Sequence, residues 1–106
     1  MNQQPTFDQA AVIGPISSAN TTALVAAPGA GKRIRVHGFR LSAAGAQSAT
    51  VGNGASAMEV FNLVAGEQVI LPLRGQPYYV LAENTALNLV TTTTAVTNGR
   101  VEYSVA

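Results

Sequence analysis

Lys32–Ala43, KRIRVHGFRLSA, is the stretch whose reading decides the fold. With a period of two, Ile34 and Val36 point one way while Arg33, Arg35 and His37 point the other, the pattern of a half-buried strand. Gly38 breaks the phase, and Phe39 and Leu41 carry on the apolar face in the opposite parity. A bulge near His37 and Gly38 is the cheapest way to keep both pairs in one core. A long strand with one bulge predicts a sandwich or barrel that bends around its own core. Four of the six basic residues also lie in this stretch.

Outward from it, the chain breaks into short strand-like runs separated by Gly, Pro, Asn and Ser. On the N-terminal side, Pro28-Gly29-Ala30-Gly31 is a loop that follows a Thr-, Leu- and Val-rich strand over Thr21–Ala27. Gly31-Lys32 superficially matches a phosphate-binding loop. Its first glycine would fall on Ala26, Arg33 stands where Ser or Thr should hold a metal, and a strand follows where a helix is required. On the C-terminal side, Asn53-Gly54 predicts a tight hairpin that sets Val51 opposite Ser56 and Ala49 opposite Met58, peripheral because its residues are small. Strands follow over Met58–Val64, Glu67–Leu73 and Tyr78–Ala82, and Pro72 marks an edge or a strand end. Leu87, Leu89 and Val90 lead into four threonines, and Asn98-Gly99 predicts a last hairpin pairing Val96 with Val101, Thr94 with Tyr103 and Thr92 with Val105.

No segment sustains a helical period. About eight antiparallel strands predict an all-β, single-domain sandwich over residues 21–106, jelly-roll-like, with an immunoglobulin-like sandwich as the alternative topology. The predicted core is Ile34, Val36, Phe39, Leu41, Val69, Leu71, Leu87, Leu89, Val101 and Tyr103. Residues 1–20 read differently: a polar leader, then Val12, Ile13 and Ile16 interrupted by Gly14-Pro15. They predict an N-terminal arm that either lies as an edge strand on its own domain or extends onto a neighbour. As an anchor on a partner, the arm would be dispensable for folding.

The chain has 106 residues, long enough to bury a core without staples, and no cysteine, which excludes disulfides, Cys-ligated zinc and thiol chemistry. Charged residues make up 10% of it, against about 25% in an ordinary soluble domain. The deficit is filled by Ala, Thr, Ser, Asn, Gln and Gly, so small, neutral outer faces suited to other subunits are expected, and with them a multi-subunit assembly. A net charge of +1 provides no field for nucleic acid or an anionic membrane. MNQQPTFDQ has neither the basic start nor the apolar run of a signal peptide, and residues 9–31 are too polar and broken for a transmembrane helix.

Catalysis finds little to work with in one histidine and five widely spaced carboxylates, so no enzyme, cofactor or metal site is expected. His37, with no second histidine or nearby acid, reads as a packed or cross-strand-paired imidazole. Arg33 and Arg35 are candidates for gripping an acidic protein partner, or for pairing with Glu59, Glu83 or Glu102 across strands. With Val12, Ile13 and Ile16 of the arm they form the expected partner-binding set.

AAPGAGKRIRVHGFRLSAAGAQSATVGNGA (residues 26–55), VILPLRGQPYYVLAENTALNLV (69–90) and the terminal NGRVEYSV resemble, in this order, small β-sandwich virion proteins of tailed bacteriophages. The resemblance covers residues 22–105 and rests on structural motifs, a "pGKrirV" strand, an "lPl…pyf" segment and an "nalnl" strand. In that group it points to capsid decoration (cement) proteins and related head or tail accessory modules. It implies a jelly roll, a homotrimer and docking on the major capsid protein at the outer shell of the virion, after synthesis in the host cytoplasm. A tail, collar or baseplate module that recognises a host glycan or surface protein is the alternative.

Overall fold

The computed structural model describes residues 9–54 and 56–106. The chain is all-β, with nine strands: β1 (Gln9–Ile16), β2 (Thr21–Val25), β3 (Ile34–Ala43), β4 (Gln47–Asn53), β5 (Ser56–Leu63), β6 (Gln68–Leu71), β7 (Tyr79–Val80), β8 (Leu87–Thr91) and β9 (Thr97–Val105). One antiparallel sheet runs β1-β9-β3-β6, with β7 also on β3, and the other runs β2-β8-β4-β5. β6 pairs with residues 39–42 and β7 with residues 35–36 of the same strand, so the two are halves of one edge interrupted between Pro72 and Pro77. Counted so, there are eight strands in two four-stranded sheets, and every connection but β4–β5 crosses between sheets. This is the jelly-roll order, and it decides against the immunoglobulin-like alternative.

The predicted bulge is present. The β3–β9 register shifts between Val36 and Gly38, leaving His37 unpaired in the ladder. Ile34, Val36, Phe39 and Leu41 are all buried as a result. The His37 imidazole, also buried, sits 2.9 Å from Ser104 Oγ and 3.2 Å from the Arg74 carbonyl, the cross-strand pairing expected of it. Gly38 is needed here, because a Cβ would meet the Glu102 carboxylate and the Leu73 backbone. Of the remaining predicted core, Leu87, Leu89 and Val101 are buried, while Val69, Leu71 and Tyr103 pack against the core half-buried. Phe39 and Phe61 stack across the two sheets with centroids 5.9 Å apart.

Two expectations are corrected and one alternative is decided. Of the two placements open to the N-terminal segment, the edge strand on its own domain is the one found: Gln9–Ile16 is β1, antiparallel to β9 from Gln9↔Tyr103 to Ile16↔Thr97. A register shift between Ile13 and Ile16 compensates for their odd spacing and turns both side chains inward. The polar leader, residues 1–8, lies outside the described residues. The terminal hairpin does not form: β8 belongs to the opposite sheet, Asn98-Gly99 lies inside β9, and β9 pairs with β1 and β3. Gly99 sits where a Cβ would collide with the carbonyl of Arg40. Lastly, the β4–β5 register is Asn53↔Ser56, Val51↔Glu59 and Ala49↔Phe61. β4 is interior rather than peripheral, lying between β8 and β5 with Ala49 and Val51 buried, because small residues are what a crowded central strand accommodates.

Gln47 opens β4 as a buried polar hub that the sequence reading did not single out. Its Oε1 accepts the backbone N–H groups of Thr92 and Thr93 at 2.9 and 3.0 Å. Its amide nitrogen donates toward the carbonyls of Thr93 and Ala95 and the hydroxyl of Thr97. The threonine run is therefore a loop that Gln47 holds together with the threonines' own hydroxyls, with only Thr91 in a strand.

Candidate functional site

Jelly-roll sheets bury one face each and turn the other outward, so the two outer faces are the broadest surfaces this chain offers for contact. They differ in chemistry. On the β2-β8-β4-β5 sheet one transverse row is Thr21, Val90, Thr50 and Val60, and the next is Ala23, Asn88, Gly52 and Ala57. Neither row carries a charge, and a shallow depression of about 450 Å³ runs between Thr21, Thr50, Gly52, Asn88 and Val90. Glu59, the one charge of β5, belongs to the inner side of the rim, where the Tyr79 hydroxyl donates to its carboxylate at 3.4 Å. Burial, then the Glu59 charge, holds the Tyr79 phenol above its ordinary pKa.

The β1-β9-β3-β6 sheet shows the opposite composition. Register places Val12, Arg100, Arg40 and Ile70 in one row across four strands. The adjacent rows bring Ala10, Glu102 and Gly38 together on one side and Asn98, Ser42 and Gln68 on the other. Arg35 follows further along β3, beside Ser104 and Val80. Three arginines thus share this face with one glutamate. Exposed Val12, Ile70, Leu73 and Val80 surround them.

Arg40 and Arg100 are direct cross-strand partners, an arrangement that costs stability when like charges are not neutralised. Glu102 neutralises one of them, its carboxylate 2.9 Å from Arg100 Nε. Among the described residues Arg40 makes no ion pair. The Nε of Arg35 is buried and has no hydrogen-bond partner among the described residues. Outside this face, Arg74 lies over the Tyr78 ring at 3.7 Å.

Of the five residues expected to bind a partner, Val12 and Arg35 lie on this face. Arg33 is exposed at the entry to β3, where its guanidinium donates to the Leu81 carbonyl at 3.3 Å. Ile13 and Ile16 are committed to the core of their own domain. Sequence reading missed Arg40 and Arg100 as a pair, because nothing local to either residue shows that β9 lies beside β3.

Among the described residues no three His, Asp or Glu side chains gather as a metal site, and no helix is long and apolar enough to cross a membrane. No family model, curated protein or solved structure matches the chain.

Proposed function

We propose that this chain is a structural virion protein of a tailed bacteriophage, a decoration protein that docks on the outer surface of the capsid shell and stabilises it. The observation that carries the reading is the division of labour between the two outer faces. The uncharged β2-β8-β4-β5 face, lined by Thr, Val, Ala and Gly, suits packing against further copies of the chain. The arginine-rich face with exposed aliphatics suits an acidic, partly apolar protein surface. In this reading three copies pack through the neutral face about a threefold axis, and the arginine faces engage the major capsid protein. The sequence resemblance to small β-sandwich virion proteins of tailed bacteriophages supports the same reading. Such a protein stabilises a shell by mass action, since its full binding surface exists only where neighbouring shell subunits are correctly juxtaposed.

The test is titration of labelled protein onto phage shells stripped of it, with native mass spectrometry of the free protein. The expected result is a trimer that saturates the shell at a copy number set by the lattice, on the order of hundreds, and raises the shell's melting temperature. Shells that take up none overturn the reading. Location of a handful of copies on the tail transfers the protein to host recognition.

A further inference from the structure

The row Val12–Arg100–Arg40–Ile70 says more about the partner than that it is acidic. A shallow groove of about 390 Å³ opens on the outer face of the β1-β9-β3-β6 sheet, and its polar lining consists of Arg40, Arg100, Ser42, Gln68 and Asn98. Two guanidiniums can only donate, the two amides and the hydroxyl are able to, and among the described residues no carboxylate lines the groove. Glu102 stands on the other side of Arg40, in a second groove with Ile70 and Leu73, and is already engaged by Arg100. The cross-strand arginines therefore present at least one guanidinium whose charge the described residues leave unanswered.

We infer that this groove takes a carboxylate side chain of the partner protein, held between Arg40 and Arg100, with aliphatic neighbours of that carboxylate settling on Val12 and Ile70. The inference rests on docking of this face as proposed above. A carboxylate between the two guanidiniums removes the like-charge cost and gains charge-assisted hydrogen bonds with fork geometry. Exposed aliphatics end the row on both sides, Val12 at 80% and Ile70 at 56% exposure. They favour a peptide carboxylate over a nucleic-acid phosphate, whose surroundings are sugar and further charge and give exposed aliphatics nothing to pack on.

The test uses the full-length ¹⁵N-labelled protein and follows the arginine Nε–Hε signals while acetyl-Val-Glu-Val-amide, its Gln counterpart or inorganic phosphate is added. The Glu peptide is expected to shift Arg40 and Arg100 saturably, by roughly fivefold more than the Gln peptide at equal concentration, since only the former brings the charge. Equal effects of the two peptides overturn the inference, and so does saturation by phosphate at a lower concentration than by the Glu peptide. On shells, Arg40→Glu is expected to weaken binding roughly tenfold or more, while Lys32→Glu, the same charge change at the far loop, stays within about twofold. Equal losses in both variants reduce the effect to general electrostatics and overturn the groove. If the wild-type protein fails to bind shells, the capsid reading falls, and the peptide titration still judges the groove by itself.

Discussion

Replacing Ile13 and Val12 by alanine, one at a time, separates a strand of the domain from an arm that only meets a partner. The two residues are adjacent in β1, yet Ile13 is 1% exposed and Val12 is 80% exposed. Ile→Ala removes three carbons, worth ~2.4 kcal/mol by transfer at about 0.8 per methylene. Incomplete collapse of the cavity adds to this, so a loss of roughly 2 to 5 kcal/mol is expected for Ile13→Ala. Val12→Ala removes carbons already in water and should stay within about 0.5 kcal/mol. Urea denaturation of the isolated protein reads both: with slopes of roughly 1 to 3 kcal/mol/M, Ile13→Ala lowers the midpoint by roughly 0.7 to 5 M at unchanged slope. Removing residues 1–16 altogether should prevent folding, since it bares both β9 and the core under Ile13 and Ile16. If Ile13→Ala costs no more than Val12→Ala, or the truncated chain melts as the whole one does, β1 is not part of the cooperative unit and the reasoning fails.

Gly99→Ala places a Cβ against the Arg40 backbone, which cannot swing away as a side chain could, and should cost about 1 to 3 kcal/mol, read as a fall of roughly 5 to 15 °C in Tm. An unchanged Tm would show that β9 does not sit this close to β3. Gln47→Leu strands the N–H groups of Thr92 and Thr93 and should cost about 1 to 3 kcal/mol, with faster hydrogen exchange at those two amides and not in β3. Unaltered exchange there would mean that another group holds the loop. Because the folded protein holds the Tyr79 phenol above the unfolded value of 10.0, the folded state keeps a proton that the unfolded chain has lost. Stability should be fully present below pH 10 and fall as pH rises through the higher folded pKa, and Tyr79→Phe should flatten that alkaline limb of the urea-midpoint profile. A profile identical in wild type and variant would sink the idea.

What the sequence made legible was governed by near neighbours along the chain. The phase break at Gly38 announced a bulge because four apolar residues within eight positions had to reach one core. In β9 the alternation of Val101, Tyr103 and Val105 against Arg100, Glu102 and Ser104 was also legible, and the parity is right. The partner was not. Asn98-Gly99 is a strong turn signal only where the chain has room to reverse, and here Gly99 serves close packing against Arg40 instead. Whether a residue pair turns or pairs depends on which strand arrives alongside, and in a jelly roll that strand comes from far away in sequence. The same non-locality hid the Arg40–Arg100 pair, sixty positions apart, and the role of Gln47 beneath the threonine loop. For residues 10–16, composition could not distinguish apolar side chains bound for a neighbour from those bound for their own sandwich, because the hydrophobic gain is the same in both.

The split edge formed by β6 and β7 bears on how the molecule behaves when crowded. A long flat border strand presents a row of free amides and carbonyls that invites another chain to add on, strand to strand, into open-ended fibres. Here Pro72 and Pro77 withhold two donors from that border, and amides beside them turn back on their own sheet, Arg74 N–H to the His37 carbonyl and Tyr78 N–H to that of Val36. Strand-to-strand addition along this border is thereby disfavoured, whereas the trimer proposed above, packed through a broad face about a closed axis, would end as a finite assembly instead of running on as a filament.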